Sequence, residues 1–171
     1  MTERQQFKVL RTYENFELRE YLPCVIAEVR VSGQLSTSSS SAFSTLFSYI
    51  SKGNKSSQKI AMTAPVLIEG VNESNLWRIT FVMPSKYNVN TLPRPKNSLV
   101  KIREIPEKKY AAMTFSGLLG EEKIQNNIQQ LQDWIMKKGH QPNGPVELAR
   151  YNPPWTLPPW RRHEILIELT P

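Results

Sequence analysis

Apolar and polar residues alternate with a period of two through several short stretches of this chain, and with a period near 3.6 through two longer ones. The order of these stretches repeats. Phe16-Glu-Leu-Arg-Glu-Tyr21 superposes on Val100-Lys-Ile-Arg-Glu-Ile105, placing Arg19-Glu20 on Arg103-Glu104. Without a gap, the same 84-residue shift brings Ser32-Gly33 onto Ser116-Gly117. Between these points Ala27, Val29 and Val31 fall on Ala111, Met113 and Phe115. Alternation of this kind is the pattern of a half-buried strand. Each half therefore opens with two strands, joined by a short turn around Tyr21-Leu-Pro23 or Ile105-Pro-Glu107.

A helix is predicted next in each half. In the first, Phe43, Leu46, Phe47 and Ile50 recur at helical spacing. The hydroxyl-rich residues 36–41 are expected to cap its free N–H groups, and Gly53 to stand at its C-cap. In the second, Glu121 and Glu122 suit the positive end of the helix dipole, and Ile124, Ile128, Leu131 and Ile135 form an apolar stripe. Lys137-Lys138-Gly139 closes it. Two more strands are expected in each half, over residues 64–69 and 77–83, then 146–151 and 163–169. The fold class is α+β. A β-β-α-β-β unit occurs twice, over about residues 12–86 and 97–170, in a single domain spanning 1–171. A curved, barrel-like antiparallel sheet of about eight strands with two helices is the economical arrangement, because each half alone leaves an apolar face uncovered.

Composition narrows this picture. A chain of 171 residues that is 39% hydrophobic buries enough apolar surface to fold without a disulfide or structural metal. Its one cysteine, Cys24, cannot form an internal disulfide. The first residues lack the apolar run of a signal peptide, and no stretch approaches the roughly 20 apolar residues that span a bilayer. The chain reads as soluble and cytoplasmic, or organellar after loss of a targeting segment, without integral membrane association. The net charge of +7 is scattered, with no basic run longer than a pair. That argues against a nucleic-acid partner and for a solvated surface.

Catalytic constellations are thin, so no enzyme activity is expected. The two histidines lie far apart: His140 in a Gly- and Pro-rich turn, His163 at the start of a strand. Zinc-type spacings, phosphate loops and nucleophile elbows are absent. Cys24 reads as an inert core residue, and the acidic residues, alternating with basic ones, read as solvent-facing. Two segments stand out. One is Lys59-Ile-Ala-Met-Thr-Ala-Pro-Val66. The other is Arg150-Tyr-Asn-Pro-Pro-Trp-Thr-Leu-Pro-Pro-Trp-Arg-Arg-His163. Four prolines stiffen the second, so Trp155 and Trp160 are presented at low entropic cost beside Arg161 and Arg162. Such a loop suits either a flat anionic ligand or the plugging of an open sheet end.

Both segments resemble the SOUL haem-binding protein family, the second through Arg150-Tyr-Asn-Pro-Pro and Arg161-Arg162-His-Glu-Ile. Phe16-Glu-Leu-Arg and the helix ending in Tyr49-Ile also match, so the likeness covers about residues 11–170. The resemblance implies a duplicated β-β-α-β-β fold, an architecture that also resembles GyrI-like small-molecule-binding domains. It further implies a haem or other tetrapyrrole held non-covalently beside the first helix, for carriage or buffering. The residues so implicated are Ser40, Phe43, Phe47, Ser48 and Ile50 on that helix, Met62 of the first segment, and Tyr151, Trp155, Trp160 and Arg161 of the second. Two departures from the family matter. Ser40 and Ser48 stand where some members carry basic side chains, so Lys52, Lys55, Arg161 or Arg162 are the substitutes for pairing with propionates. The turn Tyr21-Leu-Pro-Cys24 lacks a histidine found there in one branch, so strong axial ligation is not expected. The alternatives are a general binder of flat hydrophobic molecules and a GyrI-like hydrolase using one carboxylate in the groove.

Overall fold

The computed structural model describes residues 2–70, 75–152 and 156–171, and only the backbone of 35–37. In chain order the elements are β1 (Glu3–Arg4), β2 (Phe7–Thr12), β3 (Glu17–Tyr21), β4 (Cys24–Ser32), α1 (Leu35–Ile50), β5 (Thr63–Ala64), β6 (Val66–Glu69) and β7 (Leu76–Val82). The second half adds β8 (Lys101–Ile105), β9 (Lys108–Ser116), α2 (Glu121–Lys137), β10 (Pro142–Arg150), a 3-10 turn at Pro158–Trp160, and β11 (Arg162–Leu169). The fold is α+β, two helices on one curled antiparallel sheet. The 84-residue shift carries β3 onto β8 and β4 onto β9, end to end.

The sheet order is β2-β3-β9-β11-β10-β6-β7-β4-β8, nine strands where about eight were expected. The extra one, β2, is an exposed edge strand that pairs only with β3, and its largely exposed residues give it little hydrophobic alternation. β1 runs parallel to β5 in a separate two-stranded pairing. The short turns after β3 and β8 do not close hairpins. β3 pairs with β9 of the second half, and β8 pairs with β4 of the first. Each half thus lends its opening strand to the other.

One sheet face carries the helices. Ala27, Val29, Ile68, Ile79, Phe81, Ala111, Leu148, Ile165 and Ile167 point to it and meet Leu46, Tyr49 and Ile50 of α1 and the stripe Ile124, Ile128, Leu131 and Ile135 of α2. Each buried Val, Leu, Ile or Phe among them stabilises the fold by roughly 1.5–3 kcal/mol. The opposite face has its own apolar cluster, including Tyr21, Ile26, Leu67, Tyr110, Ala112 and Leu166.

Two helix-end expectations give way to other devices. The N-cap of α1 is Gln34, with no side-chain capping bond, so residues 36–41 lie inside the helix. There the Ser38 hydroxyl donates to Ser32 O at 2.7 Å instead. At the other end the C-cap is Ser51, and Lys52 takes the left-handed conformation with φ 80°. The Gly53 N–H then donates to Ser48 O at 2.8 Å, a Schellman closure.

Candidate functional site

α1 packs over β4 and β7, and α2 over β9, β10 and β11, so β6 runs between the two helices. Register places one row of side chains across this floor: Ala27, Phe81, Val66, Arg150, His163 and Phe115 are successive partners on β4, β7, β6, β10, β11 and β9. Alternation sends all six to the helix face. At one end of the row Phe43 meets Phe81 edge-on, ring centroids 5.3 Å apart. Phe43 stacks on Phe47 at 6.1 Å and 12°. These two rings remain 40% and 49% exposed, large for aromatic side chains on a packed helix. Ser40 and Ser48 lie exposed on the same helix.

The row also carries charge. Burial, and then the nearby Arg161, push the Arg150 guanidinium below its ordinary value. No hydrogen bond or ion pair of the Arg150 side chain forms among the described residues. His163 is buried, and its ring Nε2 lies 3.0 Å from Gly117 O while Nδ1 has no hydrogen-bond partner. Burial lowers its pKa, the Gly117 carbonyl opposes this, and Arg150, Lys123 and Arg161 lower it further. The inter-helix floor is therefore apolar at the α1 end and cationic toward β9.

The other residues singled out in the sequence fall in several places. Ile50 is 3% exposed, beneath α1 in the core. Met62 is half-buried against that core. Trp160 is exposed on the 3-10 turn, which rests on β9. Arg161 donates from Nε to Thr156 O at 2.6 Å. Trp155 lies outside the described residues. Tyr151, one residue beyond Arg150, faces the opposite side of the sheet, where its hydroxyl donates to Glu164 at 2.5 Å. Arg162 also faces that side and pairs with Glu164. Lys52 and Lys55 are exposed in the loop after α1.

The expectation that acidic strand residues face solvent is overturned on this helix-free face. Glu28 and Glu164 are buried. Arg19 grips Glu164 with two bonds of 2.9 and 2.6 Å, and Thr114 adds a third donor at 2.8 Å. Burial alone would raise the Glu164 carboxyl; the Arg19, Tyr151 and Thr114 bonds outweigh it and hold the pKa at about 2. Residues of both β3 and β8 line one cavity of about 260 Å³ on this face. These strands are seven steps apart in the sheet, roughly 34 Å if flat, so the sheet curls around the cavity. A second cavity of about 550 Å³ adjoins it, sharing Gln5, Cys24 and Ile105. Cys24 is half-buried there, and burial pushes its thiol up to about 11.

Residues 2–168 match the SOUL heme-binding protein profile over nearly the whole chain. The chain belongs to the SOUL family. No curated protein matches it in sequence. Among solved structures, the EcmrR C-terminal domain is similar with TM-score 0.71 and 13% identity, over 91% of this chain and 96% of that one. A hydrolase from Listeria innocua gives 0.71 and 11% over 94% of each chain, and an uncharacterized conserved protein from Listeria innocua gives 0.73 and 10% over 91% and 92%. At such identities the likeness is one of fold.

For a SOUL chain the test is whether the residues present fit a tetrapyrrole. The paired phenylalanines and the apolar row fit the ring, and Arg150 fits a carboxylate at its edge. Among the described residues no group of three or more His, Cys, Asp or Glu is placed to hold a metal ion, and no described helix is long and apolar enough to cross a membrane. Sequence reading singled out Phe43 and Phe47 from the family pattern but passed over Arg150. Its signal was present: a charged residue in phase with Val146 and Leu148 on the buried side of a strand. It also passed over Glu147, whose neighbours read as ordinary alternation.

Proposed function

We propose that the inter-helix groove binds haem or another tetrapyrrole without a covalent bond, for carriage or buffering. The stacked, half-exposed Phe43–Phe47 pair, continued by Phe81 and ending at Arg150, which has no side-chain partner among the described residues, carries this reading. Phe43 and Phe47 would hold one ring face, with Val66 below. Arg150 would take a propionate, a charge-assisted bond that is stronger in a partly buried site. Ser40, Ser48, Met62, Trp160 and Arg161 would form the rim. Burying a few hundred Å² of apolar surface at about 25 cal/mol per Å² supplies several kcal/mol before association costs. That is sufficient for micromolar binding without an iron ligand. When bound, the tetrapyrrole iron supplies redox and ligand chemistry, which the groove side chains shield by excluding water.

A difference-absorbance titration with haemin and with metal-free protoporphyrin tests this. Both are expected to bind one-to-one with affinities within a few-fold, and Phe47→Asp to weaken both at least ten-fold. Arg150→Glu should weaken both, while leaving a carboxylate-free planar aromatic unaffected. If that neutral aromatic binds as tightly as protoporphyrin, the groove is a general site for flat apolar molecules. A haemin complex whose Soret band collapses in His163→Ala would give iron a ligand at Nδ1. No saturable change with either ring would overturn the reading.

A further inference from the structure

The 260 Å³ cavity lies on the sheet face opposite the helices, away from the groove proposed above. Its wall carries three acids, Glu69, Glu147 and Glu168, and three bases, Arg78, Arg103 and Lys108, but two of the bases are drawn to Glu28 beside it. Glu28 takes Arg103 at 2.6 Å and Arg78 at 3.4 Å. Glu69 also pairs with Arg78, and Glu168 with Lys108 at 3.3 Å. Glu147 is left over. It forms no hydrogen bond or ion pair among the described residues, although it is half-buried at the centre of the sheet on β10. A carboxylate in such a place costs free energy unless a cation or donor meets it. Between the charged groups its wall is apolar, with Ile26, Leu67, Ile105, Tyr110 and Leu166. A second acceptor stands nearby: Gln5 Oε1 is buried without a partner where the cavity opens into its 550 Å³ neighbour. The inner chamber approaches, and the outer one lies within, the range of roughly 300–1,000 Å³ typical of small-molecule sites.

We propose that this cavity binds a small organic monocation, an amine in its ammonium form, with Glu147 as counter-ion. The apolar walls enclose its body, and Gln5 Oε1 accepts a second N–H along the path from the outer chamber. An anion is disfavoured by the Glu147 carboxylate, which has no direct ion pair among the described residues. The site is independent of tetrapyrrole binding, since it shares no residue with the groove.

The groups facing Glu147 are Tyr21 from β3, Cys24 from β4, Glu69 from β6, Arg78 from β7, Arg103 from β8, Lys108 and Tyr110 from β9 and Glu168 from β11. Burial raises the Glu147 carboxyl, with Arg78 and Lys108 opposing and Glu168 adding, up to about 7. Near neutral pH it is partly protonated, so an entering ammonium displaces a proton. Affinity then rises with pH through neutrality and levels off above it.

Benzylammonium, benzyl alcohol and benzoate are suitable probes, titrated by calorimetry at pH 5.5, 6.5 and 8. Benzylammonium should saturate one site, bind at least about ten-fold tighter at pH 8 than at pH 5.5, and give buffer-dependent heats at pH 6.5 that report proton release. Benzoate should not bind. Glu147→Gln, checked for native circular dichroism and melting, should abolish the preference for benzylammonium over benzyl alcohol and the pH dependence. That variant should bind haemin as wild type does, and Phe47→Asp should bind benzylammonium unchanged. The proposal fails if Glu147→Gln binds benzylammonium as tightly as wild type. It fails equally if wild type shows no pH dependence, or no saturation below about 10 mM.

Discussion

At the scale of single residues the helix-free face holds two carboxylates with opposite fates. Glu164 is fully buried, yet Arg19, Tyr151 and Thr114 meet its oxygens, so its folded pKa of about 2 lies below the ordinary carboxylate value of 4.5. A depressed carboxyl contributes stability that is present above the unfolded pKa and is lost as pH falls through the folded one. Denaturant melts should therefore show stability falling between about pH 4.5 and 2, with this group worth on the order of 3 kcal/mol. Glu164→Gln removes the buried charge that Arg19 grips with two bonds, leaving it only the charge of Glu17 at the rim, and should cost about 3 kcal/mol at pH 7, read from the urea midpoint. Glu147 has the reverse sign. Its folded pKa, raised to about 7, means that stability declines as pH rises from about 4.5 to 7 and is level beyond. Glu147→Gln should remove that decline and melt higher than wild type at pH 8; equal melting temperatures at pH 8 would contradict the raised pKa.

At the scale of elements, α2 was legible throughout: acids in the first turn, a lysine in the last, and four apolar residues on one stripe, all as the sequence pattern required. α1 was legible in its core stripe but not in its ends. A hydroxyl-rich run reads as a cap, yet the backbone is free to start the helix two residues earlier, and Gln34 does so. Its C-terminus depends on a close approach that no local pattern encodes. A Cβ at Gly53 would stand 2.3 Å from Ser48 O, while the left-handed position is filled by Lys52. Gly53→Ala should accordingly destabilise by on the order of 2 kcal/mol in thermal melts. Lys52→Gly should equal or slightly exceed wild type, because relief of about 1–2 kcal/mol of left-handed strain is partly offset by added chain entropy. A Gly53→Ala variant as stable as wild type would remove the Schellman closure as the reason for this glycine.

At the scale of the whole molecule, the exchange of β3 and β8 between the halves decides cooperativity. Each half leaves its opening strand in the other's sheet; within its own half β8 has no ladder, and β3 has only the exposed edge strand β2. Fragments divided near residue 97 should each be unfolded alone by circular dichroism, and should regain native signal when mixed. Independent folding of either fragment would contradict this account. The curl of the sheet also separates the two proposed sites, setting the aromatic and cationic groove on the helix side and the charged cavity on the other.

The sequence by itself determined the type and order of the main elements, the repeat, the helix stripes and, through two motif segments, the family. The elements rest on side-chain period, which is local and survives without partners. Tertiary structure decided which strands pair, since a short turn permits either a hairpin or an exchange. It also decided which acidic residues are solvated. Glu147 and Glu164 belong to the same polar phase as surface residues, and only the curling of nine strands around them makes Glu164 a buried anchor and sets Glu147 on a cavity wall without a direct ion pair among the described residues. Tyr151 and Arg150 differ by one residue in sequence, yet the pleat sends them to opposite faces and so to different sites.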